Sequence, residues 1–226
     1  MVWACLWAQT AWADIASATY IEPTDRYAHG ILGDAIEWGA IAVKTKDGSG
    51  FILRLPETHV FEDVAPRLID VDLDGDVEIV AVQTDMSLGA RLAIFDETGL
   101  VAATPYIGRS NRWLAPIGAA DLDGDGKIEI AYVDRPHLAK TIRVWRFDDG
   151  QLVNVGDFPG FTNHRIGESD IAGGIRDCGT GPEMVVVDAR WKNVETVTWS
   201  ASSGFNSIVR APHTGRASIN KILACS

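Results

Sequence analysis

Two stretches of this chain repeat one another. Ile69–Val82 reads IDVDLDGDVEIVAV and Gly118–Val133 reads GAADLDGDGKIEIAYV. Anchored on Asp72 and Asp121, the two copies stand 49 residues apart. A repeat of this length is one supersecondary unit that cannot bury its own apolar face, so successive units must stack on one another. That condition narrows the fold before any other feature is considered.

The same step leads from Asp121 to Asp170, in the segment GESDIAGG, which PEMVVVD (Pro182–Asp188) follows. Weaker echoes are found at Asp34 near the start and around Lys221, in Gly215–Leu223. After each anchor comes a β-rich run: Glu78–Val82, Ile128–Val133 and Glu183–Val187. A second run follows at Arg91–Phe95, Thr141–Phe147 and Val194–Trp199. Turns at Gly99, Gly150 and Gly204 lead into a weaker last strand. No segment carries a helical apolar period. Four strands per unit of forty to fifty residues predict an all-β chain and a small β-propeller. The expected count is five blades, the last completed by Gly215–Leu223 together with the N-terminal segment Ala18–Arg26. The alternatives are four blades, or a sandwich of similar strands.

Alternating acids give the repeat its chemistry. In Asp121-Leu-Asp-Gly-Asp-Gly-Lys-Ile-Glu129, the carboxylates of Asp121, Asp123 and Asp125 turn into one concavity. The Lys127 carbonyl and the Glu129 carboxylate complete an all-oxygen set suited to a hard cation such as Ca²⁺. An EF-hand would need Glu where Tyr132 stands, and helices on both sides. The competing reading is a solvated acidic turn, in which mutual repulsion makes an empty loop costly. Counted from Asp72, the first copy (Asp72, Asp74, Asp76, Glu78) is two residues shorter, so the Asp121–Glu129 loop is expected to bind Ca²⁺ the more tightly. The Asp170 copy has lost the alternation, with Asp177 as a partial substitute.

These strings resemble FG-GAP/VCBS repeats, also found in the propeller of integrin α subunits. The resemblance spans about residues 62–190. It implies a propeller carrying calcium between the first and second strands of a blade, in a family that binds partners more often than it catalyses. The Phe-Gly/Gly-Ala-Pro cue is poor here, and no integrin-like ligand site carries over.

Five residues before each anchor stand His29, Arg67, Pro116, Arg165 and Arg216. If first strands line a central channel, four of these form a basic ring able to hold an anion. The competing reading pairs them with neighbouring acids such as Glu168 or Asp70. An enzyme, of the polysaccharide lyase or hydrolase type, would have to draw on His29, Asp34, Glu37, Arg176 and Asp177. No G-x-S-x-G, HExxH or phosphate loop is present. A clustered, exposed face of Trp38, Trp113, Trp191 and Trp199 would favour carbohydrate; scattered burial would favour a protein-binding scaffold.

The formal net charge of -11 argues against nucleic acid as a partner. No run of eighteen apolar residues occurs to span a membrane. Met1–Ala13 has the apolar character and Ala-Trp-Ala ending of a secretory leader, without its basic start. The expected organisation is therefore a leader over 1–13 and one propeller domain over 14–226, secreted or periplasmic. The partner expected is a protein or carbohydrate. Cys178 and Cys225 would remain after leader removal, either as a disulfide or as two buried thiols.

Overall fold

The protein is described by a computed structural model that covers residues 14–226. The leader reading of Met1–Ala13 and Cys5 lies outside the described residues.

The chain is built almost wholly of antiparallel strands. It opens with β1 (Ile15–Thr24), β2 (Glu37–Thr45), β3 (Gly50–Arg54) and the short β4 (His59–Phe61). Three four-stranded meanders follow. The first is β5 (Arg67–Ile69), β6 (Glu78–Asp85), β7 (Gly89–Asp96) and β8 (Gly99–Ala103). The second is β9 (Leu114–Ala120), β10 (Glu129–Asp134), β11 (Thr141–Asp148) and β12 (Gln151–Pro159). After β13 (Phe161–Thr162), the third is β14 (Gly174–Asp177), β15 (Pro182–Asp188), β16 (Asn193–Ser200) and β17 (Gly204–Pro212). The chain ends in one helix, α1 (Arg216–Leu223).

The apolar runs seen in the sequence are the second strands, and their burial explains why they do not alternate with polar residues. On β6, Ile79 and Ala81 pack towards β1 and β2, against Ile15, Ile41 and Val43. Val80 and Val82 face the other way, onto Leu114, Ile130 and Tyr132 of the next sheet. On β10, Ala131 and Val133 turn to Met184, Val186 and Val197. On β15, Val185 and Val187 turn to Ile219 and Ile222 of α1. Side chains alternate across a strand, so a strand sandwiched on both faces must be apolar throughout. β1 to β8 are joined through β4 into one eight-stranded sheet, and the four-stranded and five-stranded sheets that follow pack on it in sequence order.

The ends of the chain correct the five-unit reading. Gly215–Leu223 is not a first strand. It forms α1, whose Ile219 and Ile222 stand one turn apart and cover the outer face of β15. The segment Ala18–Arg26 does not pair with it; β1 pairs with β2, Ala18 opposite Val43 and Tyr20 opposite Ile41. An eight-residue helix docks here through two apolar positions, too few to leave a helical period in the sequence.

The first strand of each meander also differs from the expected continuous one. In the second meander β9 pairs with β10 along its length, with a bulge near Ile117. Elsewhere its work is divided. β4 pairs with the far end of β6 and β5 with the near end; β13 and β14 divide β15 in the same way.

Candidate metal centre

Strand register decides which acids occupy equivalent places. Ile69 pairs with Glu78, and Ala120 pairs with Glu129. Asp70 therefore corresponds to Asp121, and the two loops Asp70–Glu78 and Asp121–Glu129 are equal in length. This overturns the shorter-loop reading, which took Asp72 as the first acid. Asp72 matches Asp123, Asp74 matches Asp125, and Asp76 stands where the second loop has Lys127.

The hydrogen bonds agree with the shifted register. Glu78 Oε2 accepts the Val71 amide at 2.9 Å, and Glu129 Oε2 accepts the Leu122 amide at 2.9 Å. Asp70 accepts the Gly75 amide at 3.1 Å, and Asp121 accepts the Gly126 amide at 2.9 Å. Asp74 accepts Asp76 N, as Asp125 accepts Lys127 N. These bonds hold the carboxylates on the concave side of each turn. Gly75 and Gly126 adopt φ of 101° and 84°, a region a side chain would resist.

In each loop three carboxylates converge. Asp70, Asp72 and Glu78 offer oxygens within 4.8 Å of one another, and so do Asp121, Asp123 and Glu129. Both clusters can hold a metal ion. Asp70 was absent from the sequence-based set. It was hidden because the match between the strings is strongest two residues later, and only pairing with Glu78 places it.

The surroundings of the two loops are opposite in sign. At Glu129 the facing residue on β11 is Arg146. Its guanidinium bonds Glu129 at 2.5 Å, Asp125 at 2.8 Å and Asp123 at 3.1 Å. Near Glu78, one step beyond the Ile79–Phe95 pair, the corresponding residue is Asp96. The recess there, about 290 Å³, is lined by Asp72, Asp74, Asp76, Glu78, Asp96 and Glu97 and by no arginine or lysine. Burial, followed by repulsion from Asp72, Asp74 and Asp70, raises the Glu78 carboxyl to about 7. Burial also pushes Asp72 up. One oxygen of Asp70 is buried without a hydrogen-bond partner. An all-carboxylate set with an unpartnered buried oxygen fits a hard cation. The second loop already encloses one positive group.

The third meander carries a shortened version. Arg176 pairs with Glu183, so Asp177, not Asp170, takes the place of Asp70 and Asp121. Asp177 accepts the Gly179 and Gly181 amides and shapes the turn. Glu183 is bound by Arg176 and Arg210, each at 2.7 Å. Cys178 in this turn is bonded to Cys225 beyond α1, with Cα atoms 5.7 Å apart. The disulfide reading therefore replaces the two-thiol one.

Residues 70–132 match the family model of the FG-GAP-like repeat. The match begins at Asp70 and spans both acidic loops with the meander between them. No curated protein matches the chain.

Outside the FG-GAP-like repeat, the proposed basic ring dissolves. The shifted register sets Arg67 level with Gly118 and Gly174, so no basic row exists. Each of its members has its own engagement. Arg67 binds buried Asp63 at 2.6 Å, Arg165 stacks 4.2 Å over Trp191, and Arg216 binds Asp170 at 2.7 Å. His29 bonds Glu62 at 2.5 Å. The catalytic candidates divide into two groups: His29, Asp34 and Glu37 lie around Glu62, which His29 bonds and whose charge repels Glu37, apart from Arg176 and Asp177. Glu37 is buried, Asp34 is exposed, and Arg176 with Asp177 lies at the disulfide-bearing turn. Trp113 and Trp199 are buried, and Trp38 and Trp191 are half-buried. Among the described residues no tryptophan is exposed to form a sugar-stacking face.

Proposed function

We propose that the chain is a calcium-binding β-propeller-type interaction module that works outside the cytoplasm. The reading rests on one observation: two acidic loops of equal length, with three hydrogen bonds in common, occupy the same place in consecutive meanders. The FG-GAP-like repeat match over both loops supports it, since such repeats serve as interaction modules. Calcium is favoured over a transition metal because each cluster offers carboxylate oxygens and neither thiol nor imidazole. The Cys178–Cys225 bond supports an oxidising compartment. Among the described residues no helix is long and apolar enough to cross a membrane. The covered tryptophans among the described residues favour binding of a protein partner over polysaccharide cleavage.

The first loop takes the cation more tightly, the reverse of the order expected from the sequence. Asp70, Asp72 and Glu78 hold it, and the ion supplies the charge that Arg146 supplies in the second loop. Calorimetric titration of the full chain with Ca²⁺ tests this. One saturable site should be lost in the isosteric double variant Asp72→Asn with Glu78→Gln and kept in Asp123→Asn. No saturable heat in the unmodified chain would remove the calcium reading; loss of the site in Asp123→Asn alone would reverse the order of the loops.

A further inference from the structure

A cavity of about 240 Å³ opens at the end of the molecule away from the acidic loops. β10 separates the two: the metal-loop residue Glu129 begins the strand, and Arg135 of the cavity directly follows its other end. Four chain segments converge there. His29 comes from the turn after β1, Arg112 and Trp113 from the β8–β9 connection, and Arg135 and His137 from the β10–β11 connection. Ile166, between β13 and β14, supplies a rim with Leu138.

The lining is basic in a chain of net charge -11, and none of its residues is an acid. Arg112 has no carboxylate partner among the described residues; its one side-chain bond is to the Asn111 carbonyl at 2.8 Å. Arg135 is paired with Asp134 at 2.8 Å. Burial, then the charge of nearby His164, lowers His137 to about 4, so it is a neutral hydrogen-bonding group at neutral pH. His29 Nδ1 shares a hydrogen bond of 2.5 Å with Glu62, whose side chain is wholly buried and whose other oxygen accepts the Thr84 hydroxyl. Burial raises the Glu62 carboxyl, and a protonated Glu62 donating to Nδ1 places the ring proton on Nε2, where it can be donated to an anion. That bond fixes the ring and leaves Nε2 without a protein partner among the described residues. The rim is apolar and open: Leu138 is 63% exposed and Ile166 70% exposed.

Asn111 and Arg135 hold left-handed backbone, at φ 53° and 44°. Six further non-glycine residues adopt this region elsewhere among the described residues, so here it marks turns held by their contacts. The Tyr27 hydroxyl accepts the Asn111 amide at 2.7 Å, and the Trp113 carbonyl accepts the Arg135 amide at 3.0 Å. At Gly89 a side chain would meet the Arg109 carbonyl at 2.3 Å, so only glycine lets this loop approach.

We propose that this cavity binds a small organic oxyanion, a carboxylate or phosphate carrying an apolar group, with Arg112 supplying the charge, His29 a fixed hydrogen bond, and Leu138 and Ile166 the apolar contact. The site is independent of the acidic loops. Its test is an NMR titration of the ¹³C-histidine-labelled full chain with benzoate and with phenyl phosphate. Saturable movement of the His29 Cε1 signal by either probe carries the proposal, and the tighter probe names the anionic group. Arg112→Gln should weaken binding at least about tenfold, the size of a lost charge-assisted hydrogen bond. Leu138→Asp should do the same at an exposed position that leaves folding intact, while Val209→Ser, exposed on β17, should leave the affinity unchanged. No saturable shift with either probe, or equal affinity in Leu138→Asp and the unmodified chain, would overturn it.

Discussion

A single pair of equivalent positions, Asp96 and Arg146, sets the two acidic loops apart. The guanidinium of Arg146 sits among Glu129, Asp123 and Asp125, and the side chains of Glu129 and Asp123 are only 0% and 6% exposed. Removing one partner of a buried ion pair leaves the other charge unsolvated, at a cost of about 3–5 kcal/mol. Arg146→Ala should therefore melt well below the unmodified protein in a chelator, and calcium should raise its melting temperature by more than it raises that of the unmodified protein. Differential scanning calorimetry with and without Ca²⁺ reads both; an unchanged calcium increment would show that the guanidinium does not stand in for an ion. A second residue-scale prediction concerns Glu37, which is 2% exposed. Burial, then repulsion from Glu62, Asp34 and Asp63, raises its carboxyl to about 9. The folded state then holds a proton that the unfolded chain releases near the ordinary carboxylate value. Stability from this group is complete below about 4.5 and is lost as pH rises towards about 9. Glu37→Gln should flatten that decline, so that the variant's gain over the unmodified protein grows with pH and is greatest from about pH 9 upward. A parallel decline in both proteins would argue against a protonated Glu37.

At the scale of elements, α1 does for β15 what the next sheet does for β6 and β10. Ile219 is 1% exposed and lies against Val185, Val187 and Val194. Truncating a buried isoleucine costs about 2–5 kcal/mol, so Ile219→Ala should lower the unfolding midpoint in urea without changing the slope. The disulfide works on the same element. Cys178–Cys225 ties the residue after β14 to the end of α1, across a sequence separation of 47. Replacing both cysteines by serine should cost about 2–4 kcal/mol, chiefly through the wider freedom of the unfolded chain. An α1 that adds nothing to stability in either experiment would mean that the last sheet does not depend on its cover.

For the whole molecule the stacking order predicts where stability is concentrated. Residues 79–82, 130–133 and 184–187 are buried on both faces. The outer strands β12 and β17 carry exposed residues along most of their lengths. Amides that open only on global unfolding exchange slowest. Hydrogen exchange should therefore be slowest in the three second strands and faster in β12 and β17. Uniform exchange across each meander would contradict the layered core.

The all-β class, the three second strands and the two acidic turns were legible in the sequence because each is a local pattern. Apolar runs such as Ile79–Val82 record burial on two faces, and alternating acids around glycine record a turn whose carboxylates can hold a metal ion. Register was not legible. A shift of two residues leaves the string match nearly as good but exchanges Asp70 for Asp72 as the first acid, and only the pairing of Ile69 with Glu78 decides it. The role of Gly215–Leu223 was equally hidden, since two isoleucines suit a strand or a short helix until the bare face of β15 selects one. Arg146 and the cavity at Arg112 and His29 arise from contacts distant in sequence, such as Arg146 with Asp123 across 23 residues and His29 with Glu62 across 33. Charge neutralisation depends on distance in space, and the chain sets that distance only when the sheets stack.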